Sequence, residues 1–257
     1  PGGWVSVCGG DNYRGFVNFG DGRKVYLDEW GSGGGYNLSG NRTTQLEGFS
    51  MSVLNNASYT TGESSNLEFD PRCYNILYIG NENTLYKSYD NGYSSIPLYS
   101  FNESVTSIEA GWDNPNILYV ATYESYWGEK NVWKSEDGGE SFVNITPSFP
   151  GVVNDGWIPF DITVDTENAN HVWLARCPNN LGYDSYEGSK VYESTNGGAS
   201  WNNISGSGLN GENITNIEYQ RGTNGGVYLG TRKNVYYKNN LMTDWVLFNN
   251  GLPASTY

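Results

Sequence analysis

The chain has 257 residues, of which 34 are glycine and 9 are proline, and aromatic residues make up 15% of it. So many turn-forming residues divide a chain into short segments, and no apolar run approaches the ~20 residues of a membrane span. A helical bundle, a coiled coil and an inserted membrane protein are therefore excluded. The formal net charge of −14 leaves no basic surface for phosphate contacts, so we expect no nucleic-acid partner.

The residues that usually hold metals are scarce and widely spaced. The three cysteines, Cys8, Cys73 and Cys177, show no CxxC spacing, and His171 is the single histidine of the chain. A structural zinc site needs cysteines or histidines paired at short spacing. We therefore expect neither a metal nor a cofactor.

Internal repetition is the most informative feature of the chain. A weak first unit has strand-like runs at residues 15–19 and 24–27 around a Gly-Asp-Gly turn, followed by a long stretch rich in glycine, asparagine and serine. Four stronger units follow, each with an apolar run and a second run that ends in a polar turn. Their turns recur every ~40–60 residues, a length typical of a four-stranded propeller blade. The paired runs are residues 76–80 and 84–92, 117–121 and 131–142, 171–175 and 190–201, and 226–230 and 234–245.

One unit shows how the repeat is interpreted as strands. Residues 105–109 alternate between apolar and polar, residues 117–122 form an apolar run, and residues 131–135 and 141–145 supply two more segments. Alternation with period two and an excess of β-branched and aromatic residues are typical of strands. We therefore predict an all-β fold, a β-propeller or a segment of one, with four-stranded antiparallel blades. Its units are expected at residues 1–65, 66–103, 104–150, 151–209 and 210–257, as part of a longer protein.

Two of the turns carry the pattern Ser-x-Asp/Asn-Gly-Gly-x-Ser-Phe/Trp, at residues 135–142 and 194–201, and degenerate copies occupy residues 88–95 and 238–245. The pattern resembles the Asp-box, or bacterial neuraminidase repeat, of sialidases, xyloglucanases of glycoside hydrolase family 74 and sortilin-type propellers. The resemblance implies that the turns lie on the outer rim of each blade, away from any ligand, and that their residues are structural. Those residues are Ser88, Asp90, Gly92, Ser135, Asp137, Gly138, Gly139, Phe142, Ser194, Asn196, Gly197, Gly198 and Trp201.

A narrower resemblance rests on the last unit. Residues 235–240, followed by Trp245, residues 248–249 and residues 251–253, are similar to large surface propellers exported by the type IX secretion system of Gram-negative bacteria. This resemblance implies a secreted or cell-surface protein.

Two long loops and one link between units predict a binding patch. In an up-and-down four-stranded blade, the loops between strands two and three and the links between blades lie opposite the Asp-box turns. Aromatic rings stack on sugar faces and carboxylates accept hydrogen bonds from hydroxyl groups, so this patch is expected to bind carbohydrate. The alternative is that the rings cap the blades or contact a neighbouring domain. The residues of the patch are Tyr126, Trp127, Asp155, Trp157, Tyr183 and Tyr186.

The function that the sequence favours is a binding or scaffolding module of an extracellular, cell-surface-associated propeller. Its partner would be a glycan or another surface protein, and its oligomeric state stays open. The alternative is a glycoside hydrolase or part of one, which needs two carboxylates across a sugar linkage. Glu129, Asp155, Asp184 and Glu187 are possible members of such a pair, but no motif singles out two of them. Catalytic residues therefore stay unassigned.

Overall fold

The computed structural model describes the backbone and side chains of residues 67–92, 94–124, 130–147, 160–177 and 190–249. It also describes the backbone of strands between residues 15 and 66. All regular secondary structure in these residues is strand. Within the same residues, no helix has the length and apolar character needed to cross a membrane.

The chain divides into two compact units, residues 1–108 and residues 109–257. The first unit contains two antiparallel sheets. In the first sheet the strand order is β1 to β4, with β5 paired to β3, and in the second sheet the order is β6 to β9. These strands are β1 (Gly15–Val17), β2 (Lys24–Trp30), β3 (Gly35–Arg42), β4 (Gly48–Ser50), β5 (Ala57–Ser58), β6 (Asn66–Phe69), β7 (Leu77–Asn81), β8 (Thr84–Ser88) and β9 (Ile96–Ser100).

Three more four-stranded sheets follow, and in each one the strands are hydrogen-bonded in sequence order. The boundary between the two compact units falls inside β10, the first strand of the third sheet. The third sheet comprises β10 (Ser104–Ala110), β11 (Leu118–Tyr123), β12 (Lys130–Ser135) and β13 (Val143–Asn144). The fourth comprises β14 (Phe160–Asp165), β15 (Asn168–Arg176), β16 (Val191–Ser194) and β17 (Asn202–Asn203). The fifth comprises β18 (Ile214–Tyr219), β19 (Val227–Thr231), β20 (Val235–Lys238) and β21 (Val246–Leu247).

The core of the second unit consists of apolar layers between successive sheets. Neighbouring residues on a strand point to opposite faces, so β15 sends Val172 and Leu174 into one layer and Trp173 and Ala175 into the other. The first of these layers also contains Tyr119 of β11, and the second contains side chains of β18 and β19. A strand that is covered on both faces needs a continuous apolar run, and all six residues of β11 are buried.

The order of the strands determines where the connections lie. Because each strand runs antiparallel to the one before, the loop between strands two and three of a sheet and the link to the next sheet lie at the same end. We call this the loop end. The turns between strands three and four lie at the opposite end, which we call the turn end. The described strand order therefore agrees with the topology on which the predicted binding patch depends.

Candidate functional site

The six residues predicted to bind a ligand lie outside the described residues. They are Tyr126, Trp127, Asp155, Trp157, Tyr183 and Tyr186, and the candidate carboxylates Glu129, Asp184 and Glu187 also lie outside. Their roles stay predictions. The structure does describe the strands that flank them, and those strands define the base of the candidate site.

Paired residues define the loop end of the third and fourth sheets. Tyr123 at the end of β11 pairs with Lys130 at the start of β12, and Phe160 at the start of β14 pairs with Arg176 at the end of β15. The main-chain N–H of Arg176 donates to the main-chain oxygen of Lys190, at 2.9 Å. The described residues that precede and follow 125–129, 148–159 and 178–189 therefore all lie at this end.

Basic side chains are the feature of this end that the sequence analysis missed. The Lys130 ammonium lies 5.9 Å from the centre of the Tyr123 ring. Arg176 is buried, with 2% of the residue exposed. Burial lowers the pKa of Lys130, and the positive charge of Arg176 lowers it further. An acidic chain therefore places two neighbouring positive charges at the base of the candidate site. The available signal was a basic residue at a strand end in two successive repeats.

Lys190 has a structural function at the same end. Its ammonium group donates hydrogen bonds to the main-chain oxygens of Leu209 and Glu212, at 2.6 and 2.8 Å. Its main-chain N–H donates to Ser205 Oγ at 2.7 Å. Only 2% of Lys190 is exposed, so these bonds compensate the cost of burying its charge. They also attach the link between the fourth and fifth sheets to the start of β16.

Three turns at the turn end share one hydrogen-bond pattern. In the third sheet, Ser135 Oγ donates to Asp137 Oδ1 at 2.7 Å and accepts the main-chain N–H of Gly139 at 2.8 Å. The same two bonds occur, each at 2.8–2.9 Å, in Ser88-Asp90-Gly92 and Ser194-Asn196-Gly198. We call these three the serine turns. Each serine is buried and each satisfies a buried backbone donor, which is a structural function.

The acidic residue of the serine turn is already saturated with donors. The N–H and hydroxyl group of Ser141 donate to the Asp137 carboxylate, as does the hydroxyl group of Ser135. These hydrogen bonds hold the pKa of Asp137 well below its ordinary value. Such a carboxylate is a poor proton acceptor. Asn196 accepts the matching bonds from Ser194 Oγ and the N–H of Ser200 without a charge, and its amide donates to Ser200 Oγ.

Positive φ angles explain the glycines of the serine turns. Gly138 and Gly139 have φ of 76° and 99°, and Gly197 and Gly198 have 66° and 86°. This left-handed region is open to glycine and costs other residues energy. In the second sheet the first of these positions is occupied by Asn91, with φ of 60°. Asparagine tolerates that region better than most side chains, so the degenerate copy keeps the geometry.

The fifth sheet has a different set of hydrogen bonds in place of a serine turn. The Asp244 carboxylate accepts hydrogen bonds from the hydroxyl group and the N–H of Ser207, and from the N–H of Gly208. Within residues 238–245, which were expected to form a degenerate copy of the Asp-box, Asp244 therefore binds the link between the fourth and fifth sheets. Asp244 stands directly before the tryptophan, at the position that Ser200 occupies in the fourth sheet.

A histidine between two carboxylates joins three strands of the fourth sheet. His171 Nε2 lies 2.8 Å from Glu193 Oε1, and His171 Nδ1 lies 3.4 Å from Asp165 Oδ2. The His171 ring also lies against Trp173, with 3.9 Å between ring centres. Only 10% of the histidine side chain is exposed, so this cluster holds strands together and does not face a substrate.

A groove of about 900 Å³ lies at the turn end between the third and fourth sheets. Trp201 and Ile145 contribute apolar surface to it, and Lys134 contributes a cation. The Lys134 ammonium is already bonded to Glu136 Oε1 and Asn170 Oδ1, at 2.7 and 3.0 Å. Among the described residues, no group of three or more histidine, cysteine, aspartate or glutamate side chains is placed to hold a metal ion.

Comparison with known proteins gives the fold and leaves the family open. No protein-family model matches the chain, and no curated protein matches it. The solved structures that resemble it include an ancestral GH74 enzyme, with 18% identity and a TM-score of 0.67 over 96% of this chain. The GH74 xyloglucanase from Xanthomonas campestris has 15% identity and a TM-score of 0.62 over 91% of this chain. YCF48 bound to D1 peptide has 15% identity and a TM-score of 0.54 over 92% of this chain.

The chain has a β-propeller fold. The predicted fold class is thereby confirmed, and the four-stranded sheets are the blades of the propeller. The chain spans 32% of the ancestral GH74 enzyme, 38% of the X. campestris enzyme and 66% of YCF48. At these identities the likeness shows the fold alone.

Proposed function

We propose that this chain is a binding module of an extracellular, cell-surface-associated propeller protein and that it binds carbohydrate at the loop end of the third and fourth blades. The observation that carries the proposal is the shared position of the strand ends that flank three segments. Two loops and one link rich in aromatic and acidic residues start and finish at the same end of two adjacent blades. A binding site needs such convergence of side chains from separate parts of the chain.

The turn end supports this choice of face. We assign the three serine turns to the Asp-box motif, because each closes through the serine, the acidic or amide side chain and a glycine N–H. Their polar groups are engaged in these internal bonds. The loop end is then the face left for a ligand, with the half-buried Lys130 able to bind hydroxyl or carboxylate groups of a sugar.

The proposed location outside the cell rests on the sequence resemblance to surface propellers exported by type IX secretion. Fractionation of the source cells tests it directly, with the chain expected in the surface or secreted fraction. Recovery of the chain in the cytosol alone would overturn the extracellular part of the proposal.

The binding test uses the loop-end aromatic residues. Trp127→Ala should weaken binding to an immobilised polysaccharide panel about tenfold or more, since losing an aromatic anchor typically costs ~1–3 kcal/mol. Its melting temperature should stay that of the parent. The matched control is Tyr89→Ala. It removes a ring that is 60% exposed and lies in the second sheet's serine turn, and it should leave binding unchanged. If Trp127→Ala lowers the melting temperature while binding is kept, the ring caps the blade and the proposal fails.

Glycoside hydrolysis is the second candidate function, because two of the similar structures are named as a GH74 enzyme and a GH74 xyloglucanase. Hydrolysis needs a carboxylic acid and a carboxylate on opposite sides of the linkage. The test is release of reducing ends from the same panel, with xyloglucan included. Turnover that disappears in Asp155→Asn or Glu129→Gln would replace the binding module with an enzyme.

A further inference from the structure

One face of the fifth blade shows aromatic side chains to solvent. Tyr228 of β19 and Tyr237 of β20 are cross-strand partners with ring centres 4.9 Å apart, and the Phe248 ring lies 5.2 Å from Tyr228. Phe248 is 46% exposed. We call this surface, which also includes Val235 and Glu218, the Tyr228 face.

The same positions are fully covered in the two preceding blades. Trp173 of the fourth blade matches Tyr228, and Val191 matches Val235, by the register of the strands. They are 1% and 0% exposed, whereas Tyr228 and Val235 are only partly buried. In the third blade the matching residues are Tyr119 and Val132, and both are 0% exposed. The positions that contact the next blade in the third and fourth blades are therefore only partly covered in the fifth blade.

Side-chain acceptors connect the fourth blade to the first strand of the fifth. The N–H of Ile217 donates to Asp161 Oδ2 at 2.9 Å, and the N–H of Tyr219 donates to Thr163 Oγ1 at 3.0 Å. Thr163 pairs with Trp173, and Glu218 pairs with Tyr228, so Glu218 occupies the position of Thr163 in the fifth blade. Asn216, two residues before Glu218, likewise occupies the position of Asp161. Both carry a side-chain oxygen and both are exposed.

A third connection uses the tryptophan that closes the turn of the fourth and of the fifth blade. Trp201 Nε1 donates to the main-chain oxygen of Ile145, and Trp245 Nε1 to that of Ile204, both at 2.8 Å. The matching carbonyl in the fifth blade belongs to Phe248, because the N–H of Phe248 donates to the main-chain oxygen of Val235. In the same way, the N–H of Ile145 donates to Val132 and that of Ile204 to Val191. The fifth blade thus repeats the apolar surface, the acceptors and the carbonyl of an inter-blade contact.

We propose that the Tyr228 face is the docking surface for a further four-stranded blade, contributed by chain that follows Tyr257. This blade would bury Tyr228 and Val235, donate first-strand N–H groups to Asn216 and Glu218, and donate an indole N–H to the Phe248 carbonyl. The inference is independent of the proposed carbohydrate site.

The Phe248 carbonyl needs an indole N–H as its donor, so the blade that covers the Tyr228 face must have a turn closed by tryptophan. The second blade has Ser95 at the position of Trp201, and residues 1–65 contain no Ser-x-Asp/Asn-x-Gly-x-Ser-Trp sequence. The likeness to propellers of about three times this length is in keeping with more blades.

The first test is the coding sequence after Tyr257. We expect one more unit of ~40–60 residues with a Ser-x-Asp/Asn-x-Gly-x-Ser-Trp turn. A stop codon at that point, or a sequence without strand periodicity, would overturn the proposal.

The second test is hydrogen exchange in the longer chain and in the 257-residue chain. Val235→Asp places a charge on the Tyr228 face, and in the longer chain it should reduce amide protection of the added blade about tenfold or more. Leu241→Asp is the matched control, because Leu241 is 85% exposed in a turn outside the face, and protection should be unchanged.

Two results with the 257-residue chain would assign the face to another occupant and overturn the proposal. In the first, Val235→Asp lowers protection of the strands between residues 15 and 58, which would make the first sheet the occupant. In the second, the chain forms a dimer in sedimentation experiments that Val235→Asp abolishes, which would make a second copy the occupant.

Discussion

The indole N–H of Trp201 donates a hydrogen bond to the main-chain oxygen of Ile145, with 2.8 Å between the atoms. Trp201 closes the serine turn of the fourth blade, and Ile145 follows the last strand of the third. The bond therefore joins two blades at the turn end. Trp245 and Ile204 repeat it between the fourth and fifth blades, also at 2.8 Å.

Replacing the indole tests this connection. Trp201→Phe keeps a ring in the turn, as Phe142 does in the third blade, but leaves the Ile145 carbonyl without its donor. We expect the free energy of unfolding to fall by about 1–3 kcal/mol, the usual range for a lost hydrogen bond and a partner left unsatisfied. Urea denaturation followed by circular dichroism measures the change.

Two further variants test whether the effect recurs at the next junction and is absent at an exposed ring. Trp245→Phe should have an effect of similar size at the next junction, because its indole makes the same bond. Tyr89→Phe changes an exposed ring and should leave the free energy of unfolding unchanged. An unchanged midpoint in both tryptophan variants would show that the indole bonds do not stabilise the junctions.

The strand pattern was predictable because it is a local property of the sequence. A run such as residues 117–122 is apolar throughout because both faces of β11 are covered, and the structure gives a strand at 118–123. The partners of these residues in the next blade were not predictable. Tyr119, for example, donates its hydroxyl hydrogen to the main-chain oxygen of Ala169, at 2.8 Å. Nothing in the sequence near either residue specifies that pairing.

Two sequence patterns with the form of glycosylation sites also acquired a structural explanation. Asn144 Oδ1 accepts hydrogen bonds from the N–H and hydroxyl group of Thr146, and Asn203 makes the same bonds with Ser205. Thr146 Oγ1 in turn accepts the N–H of Val132. These Asn-Ile-Thr/Ser sequences are therefore part of the repeat.

The serine of each serine turn should be more important than the acidic residue beside it. Ser135→Ala removes the acceptor of the Gly139 N–H and leaves a buried donor unsatisfied. We expect the free energy of unfolding to fall by about 1–3 kcal/mol. Chemical denaturation of the purified chain measures the effect.

The outer serine of the same turn provides the control. Ser141 is exposed, and water can replace the bonds that it makes to Asp137. Ser141→Ala should therefore have a clearly smaller effect than Ser135→Ala. Equal losses in the two variants would contradict the distinction between buried and exposed bonds.

Acid should weaken the cluster around His171. The hydrogen bond from His171 lowers the pKa of Glu193, so the ionised carboxylate stabilises the folded chain. This contribution is fully present above the ordinary glutamate pKa of about 4.3 and disappears as the pH falls through the lower folded value. Unfolding free energies measured down the acid range should decline less steeply in Glu193→Gln. Glu167→Gln, at an exposed residue, should keep the parent slope.

Alkali should weaken the contact between the fourth and fifth blades. Tyr219 stacks on Trp173 with 5.4 Å between ring centres, and its hydroxyl group donates to the main-chain oxygen of Thr223 at 2.8 Å. Burial raises the pKa of Tyr219 to about 12, and Asp165 raises it as well. The ordinary tyrosine value is about 10, so the neutral phenol stabilises the folded chain below that pH. This stability should be lost as the pH rises from about 10 to about 12.

The measurement is the free energy of unfolding across that range, together with the absorbance of tyrosinate. Tyr219→Phe removes the titrating group, so its stability should decline less between those pH values, although the lost hydrogen bond costs about 1 kcal/mol at neutral pH. Tyr89→Phe, at an exposed ring, should retain the alkaline decline of the parent chain. A Tyr219→Phe curve parallel to that of the parent would show that the phenol at the junction of the two blades ionises without affecting the fold.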